Sequence, residues 1–117
     1  MKTYFWFLLV PFFLHAQENE AAKQNFVALY TVGSAWNMEK SPDDQLYFKE
    51  HSAFLSKLRK ENTIIMGARY SDTGMIVFEA SDLESAKNLL HEDIAIQNNL
   101  FQVVVHPFHP FYKGCIE

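Results

Sequence analysis

The sequence predicts an α+β fold in which a four-stranded antiparallel sheet carries two helices on one of its faces. Apolar runs of strand-like composition and segments with helical periodicity follow one another in the order β-α-β-β-α-β. Because crossover connections are right-handed, this order gives the ferredoxin-like arrangement. Two helices cover only one face of the sheet, whereas the strands are apolar on both. We therefore expect a homodimer in which a second copy of the chain covers the other face, sheet against sheet.

Short apolar runs define the four predicted strands, which are residues 26–33 (FVALYTVG), 63–69 (TIIMGAR), 74–80 (GMIVFEA) and 100–106 (LFQVVVH). The first run is apolar at both sets of alternate positions, which is typical of a strand covered on both sides. Residues 71–74 (SDTG) predict a hairpin turn between the second and third strands. The residues expected on the second face include Tyr30, Val32, Phe78, Val103 and Val105. Of these, Val103 and Val105 are candidates for the dimer interface.

One amphipathic helix is predicted over residues 43–61 (DDQLYFKEHSAFLSKLRKE), with Ser41 as its N-cap and Asn62 as its left-handed end. At about 100° per residue, its apolar stripe has a histidine at the centre. The stripe consists of Tyr47, His51, Phe54, Leu55 and Leu58. His51 has two interpretations: a core residue whose ring nitrogens bind neighbouring groups, or a titratable group that faces a cleft between helix and sheet.

A second helix begins at residues 81–84 (SDLE), which form a capping box, and ends at residues 91–93 (HED). Residues 94–99 (IAIQNN) are predicted as an irregular turn before the last strand. In the loop after the first strand, Trp36 either plugs the edge of the domain or lines a pocket, and the plug is the favoured interpretation.

The first sixteen residues have the layout of a secretory signal peptide, with a basic start, the apolar run YFWFLLVPFFL and a junction after Ala16. The predicted organisation is a signal peptide (1–16), a leader (17–25), a single domain (26–112) and a tail (113–117). We accordingly expect a periplasmic or secreted protein with no membrane attachment once the signal is removed.

Composition excludes several classes of partner and site. The chain has a formal net charge of −4, and its lysines and arginines are dispersed, so nucleic acid is not an expected partner. A single cysteine, Cys115, allows no internal disulfide. The sequence lacks a glycine-rich phosphate loop, a GxSxG elbow and a cysteine cluster, and neither His106 with His109 nor residues 91–93 are expected to converge on a metal. We therefore expect no cofactor and no metal.

From Phe26 to about Phe108, the chain resembles the YCII-related (YciI-like) domains of the dimeric α+β-barrel group. The resemblance is carried by the order of five features: FVALYTVG, a tryptophan in the following loop, KEHSAFLSKL, IIMGARYSDTGMIVFEA, and LLHEDIAIQNNLFQVVVHPF. The chain departs from the family pattern at Ile94, where proline is usual, and at Asn62 and Asn99, where glycines are common. Asparagine tolerates a left-handed backbone, so these two positions remain compatible with the fold.

What the resemblance implies is a pocket that holds a His–Asp pair, which by position is His51 and Asp93. In that reading His51 is the general base and Asp93 orients it, in a cofactor-independent enzyme of lyase, isomerase or dehydrochlorinase type. Arg69 is a candidate for binding an anionic group of a small-molecule substrate, or else a surface residue that pairs with Asp72. Tyr30 and Met66 are the other candidate pocket residues. The alternatives are a non-catalytic ligand-binding module of the cell envelope and a structural dimer with His51 in its core.

Overall fold

The structure, a computed structural model, describes residues 22–116, so the predicted signal peptide lies outside the described residues. Its elements are β1 (Gln24–Val32), a short 3₁₀ helix (Pro42–Asp44), α1 (Phe48–Lys60), β2 (Ile64–Tyr70), β3 (Thr73–Ala80), α2 (Leu83–Leu90), α3 (Ile94–Gln97) and β4 (Phe101–Pro107). The predicted α+β class with a four-stranded antiparallel sheet is confirmed. No helix within residues 22–116 has the length and apolarity needed to cross a membrane.

The strand order in the sheet is β2-β3-β1-β4, and all three neighbouring pairs are antiparallel. Tyr30 on the central strand β1 lies opposite Gly74 of β3 and Val103 of β4. The turn between β2 and β3 is shorter than predicted, because it contains only Ser71 and Asp72, and Gly74 lies within β3. Ser71 accommodates this two-residue turn with a φ of 51°.

Both longer helices pack on the same side of the sheet. Leu58 of α1 and Leu90 of α2 belong to one buried cluster with residues at alternate positions of the strands. The strand members of that cluster are Phe26, Ala28, Tyr30, Ile64, Ile76, Phe78 and Val105. Since alternate residues of a strand point to the same face, this is the helix-covered face of the sheet.

The predicted assignment of residues to the two faces is therefore wrong for the five residues expected on the uncovered face. Tyr30, Phe78 and Val105 are in the core cluster, and Val103 packs against it. Val32 faces the same way, because it pairs with Phe101. The residues of the opposite face are Val27, Leu29, Met66, Met75, Val77 and Val104, with Val104 52% exposed. We call these six residues the open face.

The predicted first helix is interrupted. Pro42–Asp44 form the separate 3₁₀ helix, and α1 begins only at Phe48, after Tyr47 adopts a left-handed φ of 69°. Ser41 makes no capping bond to the backbone, and its hydroxyl instead donates to the Asp44 carboxylate. The end of the helix is as predicted, since Asn62 has a left-handed φ of 61°.

The second helix and the segment after it also differ in detail from the prediction. The N-cap of α2 is Asp82, not Ser81, and its carboxylate accepts a hydrogen bond of 2.7 Å from the backbone N–H of Ser85. The hydrogen bonds from Ser85 hold the pKa of the exposed Asp82 carboxyl below its ordinary value. Residues 94–97, predicted as an irregular turn, form the one-turn helix α3.

Gly33 allows β1 to approach the turn after α3 closely. The Gly33 N–H donates to the carbonyl of Leu100 at 2.8 Å, and a Cβ at position 33 would lie 2.1 Å from the carbonyl oxygen of Asn99. Only glycine fits there without a shift of the backbone. Asn99 itself has a left-handed φ of 60°, which asparagine tolerates as the sequence analysis expects. This close approach places the start of β4 beside the end of β1.

Candidate functional site

The site centres on a direct contact between His51 and Asp93. His51 lies in the first turn of α1, and Asp93 lies between α2 and α3. Nδ1 of His51 is 2.5 Å from Oδ2 of Asp93, so the direct hydrogen bond predicted from the sequence is present. The Asp93 residue is 1% exposed and His51 8%. Because an ionised carboxylate only accepts hydrogen bonds, neutral His51 carries its proton on Nδ1, which leaves Nε2 as an acceptor.

Asp93 is held in position by the backbone. It is the N-cap of α3, and its Oδ1 accepts a hydrogen bond of 2.9 Å from the N–H of Ala95. One carboxylate oxygen therefore caps α3 while the other binds the imidazole. Ile94 occupies the first position of α3 without disturbing this geometry. The capping bond takes the place of the conformational constraint that a proline at position 94 would supply.

A cavity of about 480 Å³ borders His51 on the side away from Asp93. We call it the His51 cavity. It lies over β1, β3 and β2 and beneath the N-terminal half of α1. Its lining includes Phe48, Ser52 and Leu55 from α1 together with Tyr30, Trp36, Gly67, Arg69, Gly74 and Phe101. The volume is within the roughly 300–1,000 Å³ typical of small-molecule sites.

His51 lines this cavity, and its second ring nitrogen is not enclosed by the protein. No hydrogen bond to Nε2 is found within residues 22–116. In the same part of the chain, the one enclosed side-chain polar atom without a partner is the hydroxyl oxygen of Tyr30, so Nε2 is not enclosed. Tyr47, Phe54 and Leu58, the stripe residues that would have closed off the ring, do not line the cavity. The arrangement leaves an imidazole nitrogen without a hydrogen bond in a residue that lines a space large enough for a ligand.

Aromatic rings form the wall of the cavity around His51. The His51 and Phe101 ring centroids are 4.6 Å apart, and Tyr30 meets the imidazole edge to face at 5.4 Å. Trp36 packs on Phe101 at 5.5 Å and on Phe48 at 6.5 Å. Trp36 therefore lines the pocket, and the favoured interpretation of it as a plug at the domain edge is wrong. The wall around the imidazole is therefore largely apolar.

Gln45 holds the Trp36 loop in place, and the sequence analysis missed it. Gln45 is 6% exposed. Its amide accepts from the N–H of Asn37 at 2.9 Å and donates to the carbonyls of Asn37 and Lys40 at 2.6 and 3.1 Å. These three bonds satisfy loop backbone groups and account for the interruption between the 3₁₀ helix and α1. No signal in the sequence marks Gln45 as buried, because at about 100° per residue it lies outside the predicted apolar stripe.

Two strand glycines leave the space that forms the cavity. Gly67 and Gly74 pair with residues whose side chains face the helices, Ile76 and Tyr30. A Cβ at position 67 or 74 would have its nearest neighbour at 3.7 Å, so a side chain there would extend into the cavity without a backbone clash. The cavity exists because these two positions carry no side chain.

Arg69 lines the cavity directly across from Gly74, on the edge strand β2. The interpretation of Arg69 as the partner of Asp72 finds no support. Although Asp72 also lines the cavity, no ion pair within 4.0 Å joins the two side chains. The Asp72 carboxylate instead accepts a hydrogen bond of 3.2 Å from the Thr73 hydroxyl. Arg69 is exposed and is the one lysine or arginine among the described residues that line the cavity.

The hydroxyl of Tyr30 is enclosed beside the His–Asp pair without a hydrogen-bond partner. Burial, and next the negative charge of Asp93, raise the pKa of this hydroxyl above its ordinary value. The hydroxyl therefore stays protonated and adds no further negative charge to the site.

Met66 is not part of the site. It pairs with Val77 on the open face and is 40% exposed. The register shift between Ile64 and Met66 explains why, because an extra residue in one strand reverses the side on which the following residues lie. The same bulge turns Gly67 and Arg69 toward the helices. The structure thus brings His51, Asp93, Tyr30 and Arg69 together and places Met66 on the other side of the sheet.

Within residues 22–116, no three histidine, cysteine, aspartate or glutamate side chains converge as a metal site. Searches against models of protein families and against curated proteins find no match to this chain.

Proposed function

We propose that the protein is a cofactor-independent enzyme that removes a proton from a small cyclic substrate, with His51 as the general base and Asp93 as the residue that orients it. The observation that carries this proposal is the hydrogen bond of 2.5 Å between Nδ1 and Oδ2, combined with a free Nε2 at a cavity of about 480 Å³. A proton transfer of this kind can start each of the reaction types that the resemblance to YCII-related domains implies, namely lyase, isomerase and dehydrochlorinase reactions.

The proton transfer uses the two ends of the imidazole differently. Nε2 takes a proton from a carbon of the bound substrate, and the electron pair of the C–H bond stays on the substrate. The imidazolium that forms lies against the Asp93 carboxylate, which stabilises its charge in a poorly hydrated environment. In an isomerisation His51 returns the proton to another carbon. In an elimination the electron pair forms a double bond as the leaving group departs with its own pair.

The proposal is tested by incubating the protein with small aromatic and lactone compounds in deuterated water. Exchange of substrate protons, followed by NMR, reports proton abstraction even where no product accumulates. We expect His51→Gln to abolish exchange and Asp93→Asn to lower it by roughly 10²–10⁴-fold. His109→Gln is the matched control, because His109 lies exposed in the segment after β4. Binding without any exchange would favour the alternative of a ligand-binding module, and the absence of both would favour a structural role for His51.

The same proposal places the protein in the dimeric α+β-barrel group with a ferredoxin-like order of elements. The strand order, and the packing of both longer helices on one side of the sheet, support it. Val77 of the open face is buried, but Met66 and Val104 are 40% and 52% exposed, and this exposed apolar surface supports a homodimer because such surfaces are usually covered. An interface of this type buries more than about 1,200 Å² in total.

Light scattering tests the dimer. Leu29→Arg and Val104→Arg, both on the open face, should give monomers. The control Leu46→Arg changes a residue that is 75% exposed and lies outside the sheet, so it should leave the dimer intact. A wild-type monomer at micromolar concentration would contradict the proposal.

Export is proposed from the sequence of residues 1–16 alone. A mature N-terminus at or near Gln17, in a periplasmic or secreted protein, is the expected result of mass spectrometry on material purified from its natural host. A full-length product from the cytoplasm would contradict it.

A further inference from the structure

Charged groups lie on both sides of the His51 cavity. Arg69 lines it on the edge strand β2, with Asp72 from the adjoining turn, and the buried Asp93 carboxylate binds His51 on the opposite side. Gly74 lies between Arg69 and Tyr30, because it pairs with Arg69 on one side and with Tyr30 on the other. Arg69, Gly74 and Tyr30 lie on the three neighbouring strands β2, β3 and β1. Because neighbouring strands are about 5 Å apart, the α-carbons of Arg69 and Tyr30 are separated by about 10 Å. That distance suits a single substituted ring lying over Gly74.

We infer that the ligand of the His51 cavity is a small cyclic carboxylate, in which Arg69 binds the carboxylate and the space above Gly67 and Gly74 takes the ring. This inference rests on the proposed function for its reaction but not for its binding mode. The guanidinium has no ion-pair partner within residues 22–116, and its planar set of donors matches the two oxygens of a carboxylate. The apolar wall of Trp36, Phe48 and Phe101 suits a ring.

Charge also fixes the direction in which such a ligand enters. A carboxylate is repelled by the buried negative charge of Asp93 and attracted by Arg69, so the anionic end binds at β2. The opposite side of the ring then lies next to Nε2 of His51. Arg69 is accordingly a specificity-determining residue, because it selects anionic compounds and presents their ring carbons to the base.

Three probes separate the contribution of charge from that of the ring. Benzoate carries both features, benzamide has the ring without the charge, and acetate has the charge without a ring. The full chain is titrated with each while the indole N–H resonance of Trp36 is followed in ¹H–¹⁵N spectra. Benzoate should give a saturable shift with a Kd in the millimolar range, since a single-ring ligand has few atoms to contact. Benzamide and acetate should each bind roughly tenfold more weakly.

Variants of Arg69 test the charge selection. Arg69→Gln should remove the roughly tenfold preference for benzoate over benzamide, and Arg69→Lys should retain part of it. Lys60→Gln removes an exposed positive charge at the far end of α1 and should leave the preference unchanged. Equal binding of benzoate and benzamide by the wild type, or an unchanged preference in Arg69→Gln, would overturn the inference.

Filling the space above the glycines tests the location. Gly74→Val should abolish the Trp36 shift with benzoate while the protein keeps its melting temperature. Gly114→Val is the control, because no atom lies near a Cβ at that position. Benzoate binding that survives Gly74→Val would place the ligand elsewhere and overturn the inference.

The variant His51→Gln separates this inference from the proposed function. If the inference is correct, His51→Gln still binds benzoate in preference to benzamide. Whether that variant loses proton exchange tests the proposed reaction and does not test the binding inference. A wild type that prefers benzoate but exchanges no substrate proton would uphold the inference and contradict the proposed function.

Discussion

The helix-covered face of the sheet has two halves that are packed in opposite ways. In the half beneath α2, Phe26, Phe78 and Leu90 are buried with 1% exposure or less. In the half beneath the start of α1, the corresponding space is left open above Gly67 and Gly74. The buried polar pair His51–Asp93 lies at the border of this second half. One half is filled by side chains that stabilise the fold, whereas the other leaves the space that we propose as the ligand site.

The largest effect on stability should come from truncating a side chain in the densely packed half beneath α2. Phe78→Ala removes a completely buried ring and should lower the free energy of unfolding by about 3–5 kcal/mol. Phe48→Ala truncates a half-buried ring on the cavity wall and should cost distinctly less. Urea denaturation of both variants checks the difference. Equal losses would mean that the two halves contribute alike to stability.

The His51–Asp93 pair should affect stability as well as activity. Asp93→Asn preserves the volume of the side chain and an oxygen that can cap α3, but it removes the charge that faces His51. We expect a loss of about 1.5–3 kcal/mol, the usual contribution of a hydrogen bond to a charged group. Urea denaturation measures it, and Asp82→Asn, at the exposed cap of α2, is the matched control. A loss no greater than that of the control would show that the pair contributes no more than an ordinary cap.

Tyr30 should make stability depend on pH on the alkaline side. Its pKa is raised in the folded state, so the folded state holds the proton more tightly than the unfolded chain does. Above the ordinary tyrosine value of 10.0, the unfolded chain loses this proton first, and stability should fall by about 1.4 kcal/mol per pH unit. Tyr30→Phe should lack this contribution and be slightly more stable at neutral pH, because an enclosed hydroxyl without a partner is removed. The measurement compares urea midpoints of the two proteins at neutral and alkaline pH, and parallel curves would contradict the prediction.

The smallest effect on stability should come from filling the half of the helix-covered face that holds the His51 cavity. Valine suits a strand better than glycine, so Gly67→Val should change the free energy of unfolding by no more than about 1 kcal/mol, in the stabilising direction. Thermal unfolding checks this. A large destabilisation would show that the fold itself needs this space, and it would contradict the view that only the half beneath α2 stabilises the fold.

The sequence predicted the class of the fold and the central pair of the site, but not the side of the sheet on which several residues lie. In β4, the run LFQVVVH carries apolar residues at consecutive positions, so no alternation distinguishes Val103 and Val105 from Val104. In β2, the bulge after Ile64 reverses the facing of every later residue, and nothing in TIIMGAR marks it. Met66, a predicted pocket residue, therefore lies on the open face.

Long-range contacts account for the other differences. The hydrogen bonds of Gln45 to the loop before it interrupt a pattern that is helical by periodicity alone. The role of Asp93 as the cap of α3 follows a local rule, since aspartate is a favoured N-cap, but a one-turn helix is too short to show periodicity. The contact between His51 and Asp93 was predicted from the family resemblance together with the position of His51 in the apolar stripe.

The most direct test of the His51–Asp93 pair is ¹⁵N NMR of the wild type with labelled histidine. We expect that Nδ1 carries the proton, that this proton has the strongly downfield shift of a short hydrogen bond to a carboxylate, and that it is lost in Asp93→Asn. We also expect that benzoate changes the chemical shift of Nε2. A proton on Nε2 with Nδ1 unprotonated, or a resonance that is insensitive to both Asp93→Asn and benzoate, would contradict the account.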